Sequence, residues 1–146
     1  MTKQRLSHKL VTFQQTILGL EESLREEKKS AEENQDKLFL EVCEVLDAFE
    51  NIFSSIEEKE QTLDKTSQRM LKSFRSIYRK LIRLLEGRGV KQIEFPEGRT
   101  IVGLCRVIEI RSEVGREEGE IITIVHNGYQ SERRVLQPAE VIAVGK

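Results

Sequence analysis

Residues 6–24 read LSHKLVTFQQTILGLEESL, and the spacing of their large apolar side chains is that of a coiled coil. Those side chains follow one another at steps of 4, 3, 4, 3 and 4 residues: Leu6, Leu10, Phe13, Ile17, Leu20 and Leu24. An unbroken heptad forms a narrow seam that a second helix must cover, whereas a helix packed on its own domain shows a wider apolar stripe. The stretch therefore predicts a dimerisation helix, with a helix packed in its own core as the alternative.

Downstream of Leu24 the helical signal continues while the seam becomes polar. Residues 25–37 are rich in Glu, Lys, Gln and Ala and contain no Gly or Pro, which favours helix. After a shift in spacing, a stutter that locally unwinds a supercoil, a second apolar heptad follows: Leu38, Val42, Val45, Phe49 and Ile52. Leu46 and Phe53 widen this stripe. We therefore expect a four-helix bundle to form where two chains pair through these residues.

The first helix is expected to reach about Leu63, which makes it roughly 85 Å long at about 1.5 Å per residue. A break is expected at residues 61–67, where Asp64 or Thr66 can cap a second helix. That second helix is expected to end at Gly87 or Gly89, since glycine is favoured just beyond a helix C-terminus.

Charge separates the two helices. Residues 41–64 carry eight acids and one Lys, whereas residues 65–91 carry nine bases and one Glu. The favoured interpretation is that the basic helix lies against the acidic one, because opposite charges favour one arrangement even though each exposed pair contributes only about 0.2–1 kcal/mol. The alternative is a nucleic-acid-binding stripe formed by Lys72, Arg75, Arg79 and Arg83. The net charge of −1 gives no general bias toward nucleic acid, so no nucleic-acid partner is expected.

From Lys91 the pattern changes to short runs rich in Ile and Val, which predict strands at 101–110, 120–126, 133–136 and 141–144. The dipeptide Asn127-Gly128 predicts a hairpin turn, and Pro138 predicts an edge strand or a strand start. The expected fold class is α+β. It consists of a long coiled-coil helix at 1–37, a helix pair at 38–90 that contributes to a dimeric four-helix bundle, and a small β domain at 91–146.

The sequence contains no recognisable catalytic or metal-binding constellation. His126 has no Cys or second His near it, and Cys43 and Cys105 form no Cys-x-x-Cys motif. No nucleophile stands beside a general base in a known pattern, and no Gly-rich phosphate loop is present. We expect a protein that is not an enzyme and that needs no cofactor and no metal. The cysteines are expected to be free buried thiols in a reducing compartment, with a lone disulfide as the alternative.

No apolar run in the 146 residues approaches the length of about 18 that a membrane span needs, so no membrane partner is expected. The first twenty residues contain Lys3, Arg5 and Lys9 but no acid, a composition shared with organellar transit peptides. Their apolar side chains nevertheless keep the heptad phase as far as Leu24, past the first acids. This favours a coiled coil over a targeting segment, and a cytoplasmic location.

The segment GYQSERRVLQPAEV, residues 128–141, resembles the C-terminal signature of GrpE proteins, which is close to G-Y-x-L-N-G-R-V-L-R-P-A-x-V. Weaker likenesses lie upstream, where residues 46–50 resemble L-D-N-L-E and residues 85–93 resemble L-E-K-H-G-V-E-x-I. The order of elements also agrees, and the likeness covers about residues 25–146. The chain departs from the family pattern in two places. Residues 101–108 lack the Asp-Pro and His-Glu-Ala of F-D-P-x-x-H-E-A, and Arg133 replaces the glycine of N-G-R.

The resemblance implies a function without catalysis. GrpE proteins are stress-response co-chaperones that act as nucleotide exchange factors of DnaK-type chaperones. Two chains would pair in parallel through the long helix, and one β domain, the wing (residues 91–146), would enter the nucleotide-binding domain of the chaperone and release ADP. ATP would then bind and the substrate would be let go. A structural coiled-coil adaptor that keeps this scaffold without exchange activity is the alternative.

The same resemblance implies which residues of the wing bind the chaperone. The positions that match the family's motif or contacts are Val125, Gly128, Tyr129, Arg134, Pro138 and Ala143. For Gly128, Tyr129 and Pro138 the alternative role is to shape the turn.

Overall fold

The computed structural model describes residues 2–145. Its helices are α1 (Thr2–Ile56), a 3₁₀ helix (Glu57–Thr62) and α2 (Lys65–Gly87). Its strands are β1 (Lys91–Gln92), β2 (Cys105–Arg111), β3 (Ile121–His126), β4 (Tyr129–Gln130), β5 (Val135–Gln137) and β6 (Ala139–Val144). The expected α+β class is confirmed.

Helix α1 is a single helix of 55 residues, as the strong helix formers between the two apolar heptads predicted. It ends at Ile56 and not at the expected Leu63, because the chain continues from Glu57 to Thr62 as a 3₁₀ helix. The chain divides into one compact unit that ends at Leu38 and a second that begins at Phe39. In the first unit, every side chain from residue 2 to residue 35 is exposed. The seam side chains are between 54% and 64% exposed: Leu6, Leu10, Phe13, Ile17, Leu20 and Leu24. Within one chain, therefore, nothing covers the seam.

The second unit opens with the end of α1, the 3₁₀ helix and α2. The carboxylate of Asp64 accepts a hydrogen bond of 2.9 Å from the backbone N–H of Ser67 and so caps α2, one of the two caps expected from the sequence. The last helical residue is Gly87 and the cap is Arg88, so that of the two glycines expected to end the helix it is Gly89 that lies just beyond it, with a φ of 81°. The N–H groups of Gly89 and Val90 donate to the carbonyls of Glu86 and Leu85. Glu60 receives two hydrogen bonds from the guanidinium of Arg75, at 2.6 and 2.9 Å, which tie the 3₁₀ helix to α2.

The basic helix α2 lies against the acidic part of α1, as expected, but the contact is made mainly by apolar and aromatic side chains and not by charge pairs. Within residues 2–145, the pair Arg75–Glu60 is the one ion pair that joins residues 41–64 to residues 65–91. The other members of the predicted basic stripe, Lys72, Arg79 and Arg83, are exposed. The physical reason is that α2 turns its apolar side chains toward α1, which leaves most of its bases facing solvent.

Helices and wing share one apolar core. Its buried members are Phe39, Cys43, Leu46, Leu85, Val90 and Tyr129. Tyr129 is completely buried, so the two-residue strand β4 is anchored by its side chain as well as by its ladder hydrogen bonds. Both cysteines are free; Cys43 is buried as expected, but Cys105 is only half-buried because it begins a strand at the edge of its sheet.

The wing contains two three-stranded sheets, ordered β1-β4-β5 and β2-β6-β3. In the first, β4 is antiparallel to both neighbours. In the second, the central strand β6 is antiparallel to β3 and parallel to β2. The sequence pattern located β3 and β6, placed the start of β2 too early, and missed β1 and β4, which are too short to show a period. Pro138 lies directly before β6, at a strand start as expected.

The expected hairpin at Asn127-Gly128 is wrong. Strand β3 before it and strand β4 after it belong to different sheets, so the dipeptide carries the chain from one sheet to the other. Gly128 does not have a positive φ. It is required by close approach instead, because a Cβ there would lie 2.4 Å from the backbone N of Ala139 and 2.8 Å from the carbonyl O of Gln137. A local turn preference cannot reveal this contact.

Candidate functional site

The wing residues implied by the resemblance fall into two groups. Val125, Arg134 and Pro138 are exposed, whereas Gly128, Tyr129 and Ala143 are buried. The first three therefore present side chains at the surface of the isolated chain. The buried three are not accessible at the surface of the isolated chain.

One face of the sheet β2-β6-β3 is apolar and partly open to solvent. Val141 of the buried central strand pairs with Val107 and Ile124, and Ala143 pairs with Ile110 and Ile121. Residues paired across strands share a face, and on this face Val107, Ile110 and Ile124 are 41%, 63% and 40% exposed. An exposed apolar cluster of this kind indicates an interaction surface. The sequence signal for it was the run of Ile and Val residues in β2 and β3.

A tight turn positions Arg134. The backbone N–H of Ser131 donates to the carbonyl O of Arg134 at 2.9 Å, and the N–H of Arg134 donates to the hydroxyl of Ser131 at 3.3 Å. Arg133 lies inside this turn, where the GrpE pattern has glycine. Within residues 2–145 only glycines have a positive φ. The turn is therefore formed without the backbone conformation for which glycine is needed.

Two carboxylates of α1, which we call the junction carboxylates, join the helices to the wing. They are Asp47 and Glu50, three residues apart and hence on one side of the helix. Oε1 of Glu50 accepts hydrogen bonds from the phenol of Tyr78 at 2.6 Å and from Nδ2 of Asn127 at 2.7 Å. Oδ2 of Asp47 accepts one from Nε2 of Gln137 at 3.2 Å. Sequence reasoning assigned neither carboxylate a role.

Further hydrogen bonds close this network. Nε2 of Gln137 also donates to the carbonyl O of Asn127 at 3.1 Å. Nε2 of Gln92 donates to the phenols of Tyr78 and Tyr129 at 3.0 and 3.3 Å. The phenol of Tyr129 lies 3.4 Å from Oε1 of Glu50. The network thus connects α1 and α2 with both edge strands of the sheet β1-β4-β5. It also includes the peptide that links the two sheets.

Burial governs the electrostatics of the junction. It raises the pKa of the Tyr78 phenol, and the bond to Glu50 raises that pKa further. Burial also raises the pKa of Tyr129, so both phenols remain neutral hydrogen-bond donors. Burial, followed by the charges of Asp47 and Glu50, raises the pKa of the Cys43 thiol to about 12.

Asp47 itself is incompletely satisfied. Burial raises the pKa of its carboxyl, and the hydrogen bond from Gln137 only partly offsets this. Its Oδ1 is buried without a hydrogen-bond partner among the described residues, as is Nδ1 of His126. A buried carboxylate with one unpaired oxygen costs stability.

The described part of the chain contains no group of three or more His, Cys, Asp or Glu side chains arranged to hold a metal ion. Across residues 2–145, neither α-helix is apolar enough over a sufficient length to span a bilayer.

Comparison with known families extends the resemblance noted in the sequence. A family model described as GrpE matches residues 2–145, nearly the whole chain. The match therefore includes the seam of α1 as well as the helix pair and the wing. A comparison with curated proteins found no match.

Proposed function

The chain belongs to the GrpE family of co-chaperones, and from that premise we propose that it is a homodimeric nucleotide exchange factor. It binds the nucleotide-binding domain of a DnaK-type chaperone in the cytoplasm and promotes the release of ADP. The observation that carries this proposal is the family match over residues 2–145. Release of a bound nucleotide makes and breaks no covalent bond, so the activity needs no catalytic residue.

Dimerisation is supported by the apolar side chains that one chain leaves uncovered. Besides the six seam residues of the first unit, Leu38, Val45 and Ile52 are 57%, 47% and 42% exposed. The other two predicted dimer residues, Val42 and Phe49, are half-buried within their own chain. Val42 packs against the core, and the ring of Phe49 lies 6.3 Å from that of Phe74. On α2, Met70, Ile77 and Leu84 recur every seven residues and are also exposed, which suits a four-helix bundle.

The wing supplies the contact with the chaperone in this proposal. Arg134, Val125 and Pro138 touch the chaperone directly, because their side chains are exposed. The buried residues contribute indirectly, by holding the two sheets in place: Gly128, Tyr129 and Ala143. To release ADP, the wing must bind the open cleft more tightly than the closed one, since a partner with equal affinity for both states shifts nothing. A wing anchored in the helical core can make that distinction.

The rate of ADP release from a DnaK-type chaperone tests the proposal. A fluorescent ADP analogue is chased with excess ATP in the presence of wild-type protein, Arg134→Ala, or Arg133→Ala as the neighbouring exposed control. We expect acceleration by the wild type and by Arg133→Ala, and a loss of about tenfold or more for Arg134→Ala, the size of one charged contact at an interface. Absence of acceleration by saturating wild-type protein would reject the exchange function.

The adaptor alternative is favoured by one observation, the missing His-Glu-Ala segment in residues 101–108. An adaptor would dimerise without recognising the chaperone. Recovery of a DnaK-type chaperone by the immobilised protein, and its loss on addition of ATP, would exclude this alternative.

The nucleic-acid alternative is favoured by the exposed Lys and Arg side chains of α2. Lys72, Arg79 and Arg83 make no ion pair within residues 2–145. Binding through such a stripe would weaken steeply with salt, because phosphate contacts release counterions. A mobility shift that is absent even at low salt removes this alternative.

A further inference from the structure

The sheet that carries Val125 and Ala143, β2-β6-β3, is connected to the rest of the wing by three peptide segments. Residues 127–128 lead from β3 into β4, Pro138 leads from β5 into β6, and residues 93–104 lead from β1 into β2. The first two segments touch each other, since the backbone around Gly128 lies so close to Ala139 that no Cβ fits between them. They form one narrow junction between the sheets.

Helix α1 is hydrogen-bonded to both of these segments. Glu50 holds the first through the 2.7 Å bond to the side chain of Asn127. Asp47 holds the second through the 3.2 Å bond to Gln137, the residue before Pro138. Gln137 and Asn127 are themselves joined at 3.1 Å. Two points of attachment on one side of a helix fix an orientation, whereas a single point would leave a pivot.

We propose that Asp47 and Glu50 are positioning residues that fix the orientation of the sheet β2-β6-β3 on the helix pair of the second unit. This inference rests on the proposed exchange function and specifies how the wing performs it. A sheet held at one angle binds the open cleft and is excluded from the closed one. A sheet that rotates about the junction fits both the open and the closed cleft. It still binds the chaperone but no longer shifts it toward the open state.

The energetics favour a positioning role over a purely stabilising one. Buried charged networks are commonly neutral or unfavourable compared with apolar side chains of the same size, and their established use is to select one arrangement among several. Here Glu50 collects donors from α2, from the segment after β3 and from β4 on a single oxygen. Asp47 keeps a buried oxygen that has no hydrogen-bond partner within residues 2–145. Stability alone gives no reason for either feature.

The test separates binding from opening. ADP release is titrated with wild-type protein, Glu50→Ala, Asn127→Ala and the conservative Glu50→Gln, whose amide oxygen can still accept from Asn127. We expect Glu50→Ala and Asn127→Ala to reach half-maximal effect within about threefold of the wild-type concentration but to lose about tenfold in maximal rate. Glu50→Gln should recover most of that rate. Glu60→Ala is the matched control, because it removes the carboxylate that Arg75 binds in the same helix pair, away from the junction.

A structural measurement keeps this inference separate from the exchange function. Spin labels on Glu44→Cys of α1 and Thr123→Cys of β3, both exposed positions, are placed in a Cys105→Ser background and diluted with unlabelled chain. We expect one narrow distance distribution in the parent and in Glu60→Ala, and a broad one in Glu50→Ala. If the parent fails to accelerate ADP release, the proposed function falls while the distances still decide the positioning role. Narrow distributions in Glu50→Ala and Asn127→Ala, or equal losses of rate in Glu60→Ala and Glu50→Ala, would overturn it.

Discussion

Nδ2 of Asn127 donates a 2.7 Å hydrogen bond to Oε1 of Glu50, across 77 positions of the sequence. This bond joins α1, near its C-terminal end, to the peptide where the chain passes between the two sheets of the wing. In an environment of low polarity such a bond to a charged group is strong, and loss of one partner leaves the other unsatisfied. The pair therefore sets how firmly the wing is held.

The phenol of Tyr78 is the strongest partner of Glu50 on α2, which makes Tyr78→Phe informative. It removes the 2.6 Å bond to Glu50 and an acceptor for Gln92. We expect a loss of about 1.5–3 kcal/mol in the free energy of unfolding, the usual value for a bond to a charged group. Tyr129→Phe is the comparison, since its phenol is 3.4 Å from the same oxygen and should cost about 1 kcal/mol or less. Urea unfolding measures both, and equal losses would contradict the ranking of the two bonds.

Gly128 marks the closest approach between the two segments of the junction. In Gly128→Ala the new methyl group would lie 2.4 Å from the backbone N of Ala139, and no flexible side chain can move away to accommodate it. We expect a loss of about 2–3 kcal/mol in the free energy of unfolding from the overpacked backbone. Gly87→Ala is the control, since a Cβ there meets nothing within 4 Å and α2 is still helical. It should be neutral or stabilising by about 0.5–1 kcal/mol. A Gly128→Ala protein as stable as the parent would rule out the close approach.

The sequence was sufficient for features whose cause is local. The heptad spacing predicted α1, the capping carboxylate of Asp64 predicted the start of α2, and Gly89 predicted its end. It failed where the cause is distant. Asn127-Gly128 has the composition of a hairpin turn, but the glycine is demanded by residues 137 and 139, and the two-residue strands β1 and β4 follow from the burial of Tyr129.

The residues of the candidate site likewise divide into those that local sequence reveals and those that depend on distant contacts. Arg134 and Pro138 were reached through a motif of consecutive residues, and their exposure agrees with a role at a surface. The junction carboxylates were missed because their partners lie 28, 77 and 90 positions away. In the sequence they fall in residues 46–50, which resemble L-D-N-L-E, but that likeness gives them no role, and only the folded chain shows what they bind.

The protonation of Asp47 gives a prediction about pH. Because burial raises the pKa of this carboxyl in the folded chain above its ordinary value of 3.8, the folded state binds the proton more tightly than the unfolded state. Its contribution to stability therefore falls as the pH rises through the interval between the unfolded and folded pKa values, and the cost is complete above the folded pKa. We expect the free energy of unfolding of Asp47→Asn, measured with urea, to exceed that of the parent by about 1 kcal/mol at pH 7. The difference should shrink toward pH 4.

Glu109→Gln is the control of opposite sign for that experiment. The hydrogen bond and charge of Arg111 lower the pKa of Glu109, so its contribution to stability is present above its ordinary pKa and is lost as the pH falls. Removal of this exposed carboxylate should cause a slight loss at pH 7 and no loss in acid. An Asp47→Asn protein that is less stable than the parent at pH 7 would show that the charge of Asp47 stabilises the junction.

Two leucines of the first unit test whether dimerisation depends on the position of a residue in the seam or only on its exposure. Leu18 and Leu20 are both 64% exposed in the single chain, but only Leu20 lies in the heptad. Leu20→Asp places a charge between the paired helices and should raise the dimer dissociation constant by about a hundredfold or more, since burial of an unpaired charge costs several kcal/mol. Leu18→Asp should leave the dimer intact. Sedimentation equilibrium measures both, and equal effects would indicate that the helices do not pair through the predicted seam.

The two thiols provide a final test of how the second unit is packed. Cys43 of α1 is fully buried in the core, which makes it inaccessible, and its pKa is raised to about 12, so it is protonated at pH 8. Cys105 is half-buried at the start of β2. With a chromogenic disulfide reagent we expect one thiol per chain to react in the folded protein and the second only as the chain unfolds. Cys105→Ser should then show almost no reaction in the folded state, at a rate that follows global unfolding, and Cys43→Ser should react like the parent. Rapid labelling of folded Cys105→Ser would mean that the core beneath the junction opens locally, and the anchoring of Tyr129 beside Cys43 would then be weaker than its burial indicates.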